Sequence, residues 1–363
     1  MPAVEEILFR KTNPMSLRLL IHCVFCQLIL SCANKQSFPV ATTFAGSGKM
    51  GMADGKGSAA SFANLMGIAS DNDGNLYIAD SHNNSIRKID AAGNVTTLAG
   101  SGATGSKDGK GTAASFFYPT GITVDTHGNV YVSDTHNNLI RKISPSGEVT
   151  TIAGSSATIA SKEFSRDSLK LDNPAGIAVD DSGNIYIADW SNDVIRKINP
   201  AGKISTVAGS VGNPGSDNGI KDSARFYLPW GIALDSLHNI YVSDSYNNMI
   251  RKISPGGTVS TLAGKKDPGA NDGAGSSASF FHPAGIVLDR IGNLYVADMG
   301  NNKIRKISSQ GLVTTIAGNG LRGSLNGRDT TASFNRPYGV AIGPDGSLYV
   351  ADYLNNLVRK ISF

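Results

Sequence analysis

The chain has 363 residues, 42 of them Gly, with aromatics at only 7% and a modest formal net charge of +4. This composition fits a turn-dense all-β protein, and a balance so close to neutral gives no sign of a nucleic-acid partner. All three cysteines, Cys23, Cys26 and Cys32, stand near the N-terminus, so the rest of the chain needs no disulfide and tolerates either redox compartment.

Residues 1–32 read as an export segment. Met15-Ser16-Leu17-Arg18 is a short basic stretch, and Leu19 to Leu30 is an apolar run too short to span a bilayer. Glu5 and Glu6 do not suit the head of such a signal, which points to Met15 as the start of translation. The run ends at Ile29-Leu30-Ser31-Cys32, which resembles a bacterial lipobox, with Ser31 before the cleavage point and Cys32 as the lipidated residue. An ordinary signal peptide with an incidental cysteine, or a hydrophobic N-terminal extension, accounts for the same residues. Cys23 and Cys26 sit inside the apolar run and are not read as a metal or redox pair. Residues 33–39 then form a short tether.

From residue 40 onward the chain repeats itself. Near copies open at Gly67, Gly121, Gly176, Gly231, Gly285 and Gly339, spaced by 54 or 55 residues. A fixed period of this size means one supersecondary unit per repeat, stacked because no single unit can bury its own faces. In the second copy, Gly121 to Asp125, Asn129 to Asp134, Leu139 to Ser144 and Val149 to Ala153 have strand character and are here called a, b, c and d. The text between them, D-T-H-G-N, T-H-N-N and P-S-G, is turn chemistry too short for a parallel crossover. Each unit is therefore a four-stranded antiparallel meander, and six of them predict an all-β, six-bladed β-propeller.

The last copy stops at Phe363 after its strand c, while Val40-Ala41-Thr42-Thr43-Phe44-Ala45-Gly46 matches the d text Val95-Thr96-Thr97-Leu98-Ala99-Gly100. The N-terminal strand is thus expected to complete the sixth blade and close the ring, giving one propeller domain over residues 40–363. The segments G-I-A-V-D, G-N-I-Y-I-A-D and I-R-K-I within Gly176 to Lys197 resemble the NHL repeat family. The resemblance covers about residues 40 to 363. It departs from the short NHL repeat by some twenty residues between d and the next a, a pattern similar to bacterial, often surface-attached, NHL proteins. The resemblance implies a fold and leaves the reaction open, because such propellers include RNA binders, interaction platforms and a few enzymes.

Six Arg-Lys pairs, from Arg87-Lys88 to Arg359-Lys360, recur once per repeat and spread basic charge evenly around the ring. An isotropic girdle is a poor nucleic-acid footprint. Asp80, Asp134, Asp189, Asp244, Asp298 and Asp352 end the b strands. They read as structural, each bonding its own turn backbone with the strand-c Arg as a further partner. Asp125, Asp180, Asp235 and Asp289, at the ends of strand a, read the same way. The D-G-x-G text at Asp54 and Asp108 offers one carboxylate, too few oxygens for calcium, and reads as a tight turn with Phe62 or Phe116 anchoring the return.

Function should sit where the repeats disagree. Chain direction places the long d-to-a insertion and the b-to-c turn on one face, so the long loops are expected to gather on one rim. After the b-strand Asp come Ser81-His82, Thr135-His136, Trp190-Ser191, Ser245-Tyr246, Met299-Gly300 and Tyr353-Leu354. Just before the strand-a Gly stand Met66, Thr120, Ala175, Trp230, Ala284 and Tyr338. The candidate ligand-binding residues are therefore Trp190, Trp230, Tyr246, Tyr338, Tyr353, His82 and His136, with Cys32 for lipidation. The same two tryptophans would equally serve to plug the funnel between blades. His82 and His136 read as surface histidines, since a metal would need a third ligand. The mid-strand-a positions, including Ala69, Thr123 and Val287, supply no carboxylate or histidine for a channel metal of the kind found in related amidating lyases and gluconolactonase-type propellers.

The expectation is an exported, lipid-anchored propeller acting as a rigid platform for an extracytoplasmic protein, peptide or glycan. It would stand on a bacterial outer membrane or cell surface, or in the periplasm, as a monomer without cofactor, metal or nucleic acid. The alternative is a channel-mouth enzyme of lyase or lactonase type.

Overall fold

The computed structural model describes residues 38–154 and 170–363, and the compact unit that holds all of them but Phe38 begins at Pro39. The export segment, with Met15 and Cys32, and all but the last two residues of the tether lie outside the described residues. Each repeat folds into one antiparallel sheet, and there are six. Strand a of every blade packs on strand a of the next, with the sixth returning to the first, so the molecule is a closed six-bladed propeller.

Blade 2 shows why the text folds this way. Its strands are Pro119–Val124 (a), Val130–Asp134 (b), Leu139–Ile143 (c) and Glu148–Gly154 (d). The a-to-b turn is built on Asp125, whose Oδ1 accepts the backbone N–H groups of His127 and Asn129, at 2.9 and 2.8 Å. The b-to-c turn ends on Asn138 at φ 56°, a left-handed conformation that Asn tolerates better than bulkier residues. Between blades the faces meet in shared cores. Tyr77, Ala79 and Ile86 of blade 1 pack with Phe116, Ile122 and Val132 of blade 2, which is the reason a single unit is not stable alone.

The ring closes at its ends as expected. Val40–Ala45 lies antiparallel to Leu357–Ser362 as the d strand of blade 6, with Ala41 opposite Ile361 and both fully buried.

Two expectations need correction. The d-to-a insertions are not confined to the rim. In blade 1 the middle of the insertion forms a two-residue strand, Gly55–Lys56, that pairs with Asn94 and Val95 at the outer edge of strand d. Gly57 N–H then bonds the carbonyl of Gly93 in the c-to-d turn at 3.0 Å. Five of the six sheets gain a fifth strand in this way, blade 3 being four-stranded over its described residues. The physical reason is the exposed outer edge of d, whose unpaired backbone groups the insertion covers. The basic girdle is also only half exposed. All six arginines of the Arg-Lys pairs are fully buried, while each lysine lies 5.3–5.9 Å over the ring of the neighbouring strand-b Tyr.

Candidate functional site

The buried arginines explain the carboxylate ring. Asp80 Oδ2 accepts Arg87 at 2.8 Å and the side chain of Asn83 at 2.8 Å, and its Oδ1 accepts the backbone N–H of Ala63 at 2.8 Å. The backbone partner thus lies 17 residues back, at the end of the insertion, and not in the turn that follows the Asp. The same pair recurs in every blade at 2.6–3.0 Å with both side chains buried. Burial pushes the carboxyls of Asp244, Asp298 and Asp352 up to about 6, against the pull of their Arg partners, which still leaves them charged at neutral pH. The D-G-x-G carboxylates belong to the same network: Asp54 accepts Arg87 at 2.6 Å and Thr97 Oγ1 at 3.1 Å. These groups hold blades together, and none faces a cavity. Among the described residues no three His, Cys, Asp or Glu side chains stand close enough to share a metal ion.

The second Asn of the turn joins one blade to the next. Asn84 Oδ1 accepts the backbone N–H of Tyr118 at 2.9 Å, and Asn138, Asp193, Asn248, Asn302 and Asn356 do the same for Asn173, Leu228, His282, Arg336 and Asn64. All six acceptor residues' partners have positive φ, between 48° and 55°. For Tyr118, Leu228, His282 and Arg336 such a backbone costs on the order of 1 kcal/mol or more each, and the inter-blade bond is what holds it.

The first turn residue after the b-strand Asp divides the ring into two kinds of blade. In blades 1, 2 and 4 it is a small hydroxyl that bonds the next blade: Ser81 to the Pro119 carbonyl at 2.6 Å, Thr135 to that of Pro174 at 2.8 Å, Ser245 to that of Pro283 at 2.5 Å. In blades 3, 5 and 6 the same place holds Trp190, Met299 and Tyr353, which make no such bond and line a cavity, with Ser245 of blade 4 also at its wall. This cavity is a cup of about 390 Å³ at the mouth of the ring, and every blade contributes to its wall.

Its aromatics form one connected set. Trp190 meets Trp230 edge-on with ring centroids 6.0 Å apart, Trp230 meets Tyr338 at 5.0 Å, and Tyr338 meets Tyr353 at 5.2 Å. Tyr246, 46% exposed, lies against Tyr227 at 5.3 Å and His282 at 4.6 Å. Burial, and beside it a hydrogen bond to Tyr353, pushes the Tyr118 phenol above its usual range. Burial, together with the charge of Arg336, holds His282 below the usual histidine range, so it is neutral at pH 7.

Five of the seven sequence candidates, Trp190, Trp230, Tyr246, Tyr338 and Tyr353, come together in the cup wall. His82 and His136 do not line it. They flank Tyr118, His136 stacked on its ring at 4.5 Å and His82 at 5.3 Å. Reading the sequence missed Tyr118, Phe281, Arg322 and Arg336, and it weighed His282 only as a metal ligand, yet all five line the cup. A signal existed for most of them: the two residues before the strand-a Pro vary as widely as the turn positions, running Phe117-Tyr118, Asp172-Asn173, Tyr227-Leu228, Phe281-His282 and Asn335-Arg336.

The axis below the cup is a different space. Alternating Ile, Ala and Val from strand a line a channel of about 620 Å³ that opens on the opposite face beside Asp71, Asp289 and Arg290. Cup and channel share no wall residue. Between them lies the ring of strand-a glycines, where the blades approach so closely that a Cβ on Gly121 would stand 2.0 Å from the Ala175 carbonyl oxygen.

Family comparison fits this architecture. The NHL repeat model matches residues 62–89, 226–253 and 334–361, in each case from the buried Phe through strand c. The chain is an NHL-repeat propeller. The Teneurin NHL domain model matches residues 103–172 of this propeller, and a beta-propeller repeat model matches 160–195. The NHL-repeat chain is 31% identical over 304 residues to Protein SUPPRESSOR OF QUENCHING 1, chloroplastic, of Arabidopsis thaliana, covering 79% of this chain and 29% of that one. It is 31% identical over 323 residues to NHL repeat-containing protein 2 of Bos taurus, covering 79% and 44%. The propeller thus spans less than half the length of these curated relatives. Among solved structures, an auxiliary nutrient binding protein from Bacteroides thetaiotaomicron shares the fold with a TM-score of 0.69 at 18% identity, covering 90% of this chain and 77% of that one.

Proposed function

We propose that this NHL-repeat propeller is an exported, lipid-anchored binding platform that captures an extracytoplasmic ligand in the aromatic cup. The observation that carries the reading is the substitution pattern at one repeated position. Three blades keep a hydroxyl that staples the ring, while the other three place Trp190, Met299 and Tyr353 in the cavity wall. Ring architecture is already served by the hydroxyl, so the large side chains answer to something outside the ring. Concave, largely aromatic walls with a few convergent polar groups are what small-ligand sites look like. The nutrient-binding Bacteroides neighbour is one case in which a protein of this architecture is described as a binder. The export half of the reading rests on the Ile29-Leu30-Ser31-Cys32 run.

Two experiments test the two halves. Capture of ligand from intact cells and medium should fall about thirtyfold for Trp230→Ala relative to the parent, the typical effect of truncating a hot-spot aromatic. Glu148→Ala, at the start of strand d beside the c-to-d turn, should capture as the parent does. Equal capture by the Trp230→Ala and parent proteins would remove the cup from the reading. Cys32→Ser should move the protein from the detergent phase to the aqueous phase with its melting curve unchanged; retention in the detergent phase would refute the lipid anchor.

A further inference from the structure

The cup is one-sided in charge. Among the described residues none of its wall is Asp or Glu, while Arg322 and Arg336 both line it. The charge of Arg336 reaches the cavity wall: beside burial it favours the neutral form of His282, and it works against the upward shift that burial gives the Tyr338 phenol. The opposite opening of the axis is of another kind, with Asp71 and Asp289 beside Arg290. The six repeat arginines are neutralised by their Asp partners inside the blades, so the two cup arginines do not belong to that structural set. Both come from the segment that leads into blade 6, and both are exposed. Neither takes part in a side-chain ion pair among the described residues, whereas most other described arginines do.

We infer that the cup takes an acidic saccharide, a pyranose ring carrying a carboxylate or sulfate. The inference rests on the binding-platform reading and adds the chemistry of the ligand. Size argues for one or two sugar rings, since about 390 Å³ lies toward the small end of ligand pockets and is too little for a folded partner. The Trp190, Trp230 and Tyr246 rings offer flat apolar faces for the C–H face of a sugar ring. The phenols of Tyr338 and Tyr353 stand in the same wall as partners for ring hydroxyls. The anionic substituent falls to Arg336 and Arg322, whose planar forks match a carboxylate or sulfate with two parallel hydrogen bonds. His282, held neutral, adds no charge at pH 7.

The chain supplies its own reporter, because its only two tryptophans, Trp190 and Trp230, touch each other in the cup. Tryptophan emission of the intact protein would be titrated with four probes: an oligogalacturonate, a sulfated galactose oligomer, a neutral galactose oligomer and a Glu-rich peptide. Saturable emission changes are expected with one or both acidic sugars, at an affinity at least tenfold above the neutral sugar and weakened by added salt. Arg336→Gln should cost about tenfold in that affinity, as loss of one charged hydrogen-bonding partner does, with Arg336→Lys recovering part of it. Arg322→Gln is the second variant, read beside melting curves that show both proteins folded. Equal binding of neutral and acidic sugars overturns the charge assignment while leaving the cup as the binding site. A response to the peptide alone, or to no probe, overturns the saccharide assignment. The platform reading stands or falls separately, on capture by the Trp230→Ala protein.

Discussion

A chain that begins at Ser47 is expected to melt well below the parent and to aggregate on warming. Removing residues up to Gly46 takes away Val40–Ala45, which pairs on one side with Leu357–Ser362 and on the other with Gly327–Arg328. The loss bares strand c of blade 6, where Val358 and Ile361 are fully buried in the intact ring. Uncovering roughly 200 Å² of apolar surface costs on the order of 5 kcal/mol, and an open strand edge templates pairing with another chain. Melting followed by circular dichroism, with light scattering in parallel, reads both effects. A truncated chain with the parent's melting temperature and no scattering would show that this strand does not close the ring.

Gly121→Ala should be nearly as damaging, although it adds one methyl group. In strand a of blade 2 the new Cβ would stand 2.0 Å from the Ala175 carbonyl oxygen and 3.0 Å from its carbonyl carbon, in strand a of blade 3. Backbone cannot swing aside as a flexible side chain can. Relief would need two blades to separate at the axis, and a closed ring resists that at every other junction. Overpacking of this kind typically costs about 1–3 kcal/mol, more where the neighbours cannot move. The comparison variant is Gly256→Ala in an exposed c-to-d turn, where the nearest atom to the added Cβ is Ser254 Oγ at 3.8 Å. That change should leave the melting temperature within a degree or two of the parent. Equal melting of the Gly121→Ala and Gly256→Ala proteins would show that blade spacing at the axis is not set by this glycine.

Both predictions turn on features that were visible in the residues to different degrees. The N-terminal strand was legible because Val40-Ala41-Thr42-Thr43-Phe44-Ala45-Gly46 copies the d text that the last repeat lacks. The strand-a glycines were equally visible as the marks that open each repeat, but their cause was not. Only the approach of one blade's Gly121 to the next blade's Ala175 carbonyl shows that the glycine serves the axis and not a turn. The cup was partly legible. Five of its aromatics occupy positions where the repeats differ, whereas Tyr118 and Arg336 stand on left-handed backbone held by an Asn of the neighbouring blade.

What could be had from the residues alone was everything governed by local period and copying: six blades, antiparallel strands, the closing strand, and the variable positions on one face. Strand alternation and turn chemistry act over a few residues, and the repeat prints them six times. Folding in three dimensions settled what depends on neighbours distant in the chain. It sent the middle of the insertions down the outer edges, because strand d left unpaired backbone there. It buried the six arginines against the six aspartates, because an ion pair sealed between strands is satisfied only when both partners and their extra donors are in place. It brought Arg322 and Arg336 into a cavity with tryptophans more than ninety residues away, a meeting that no local pattern encodes.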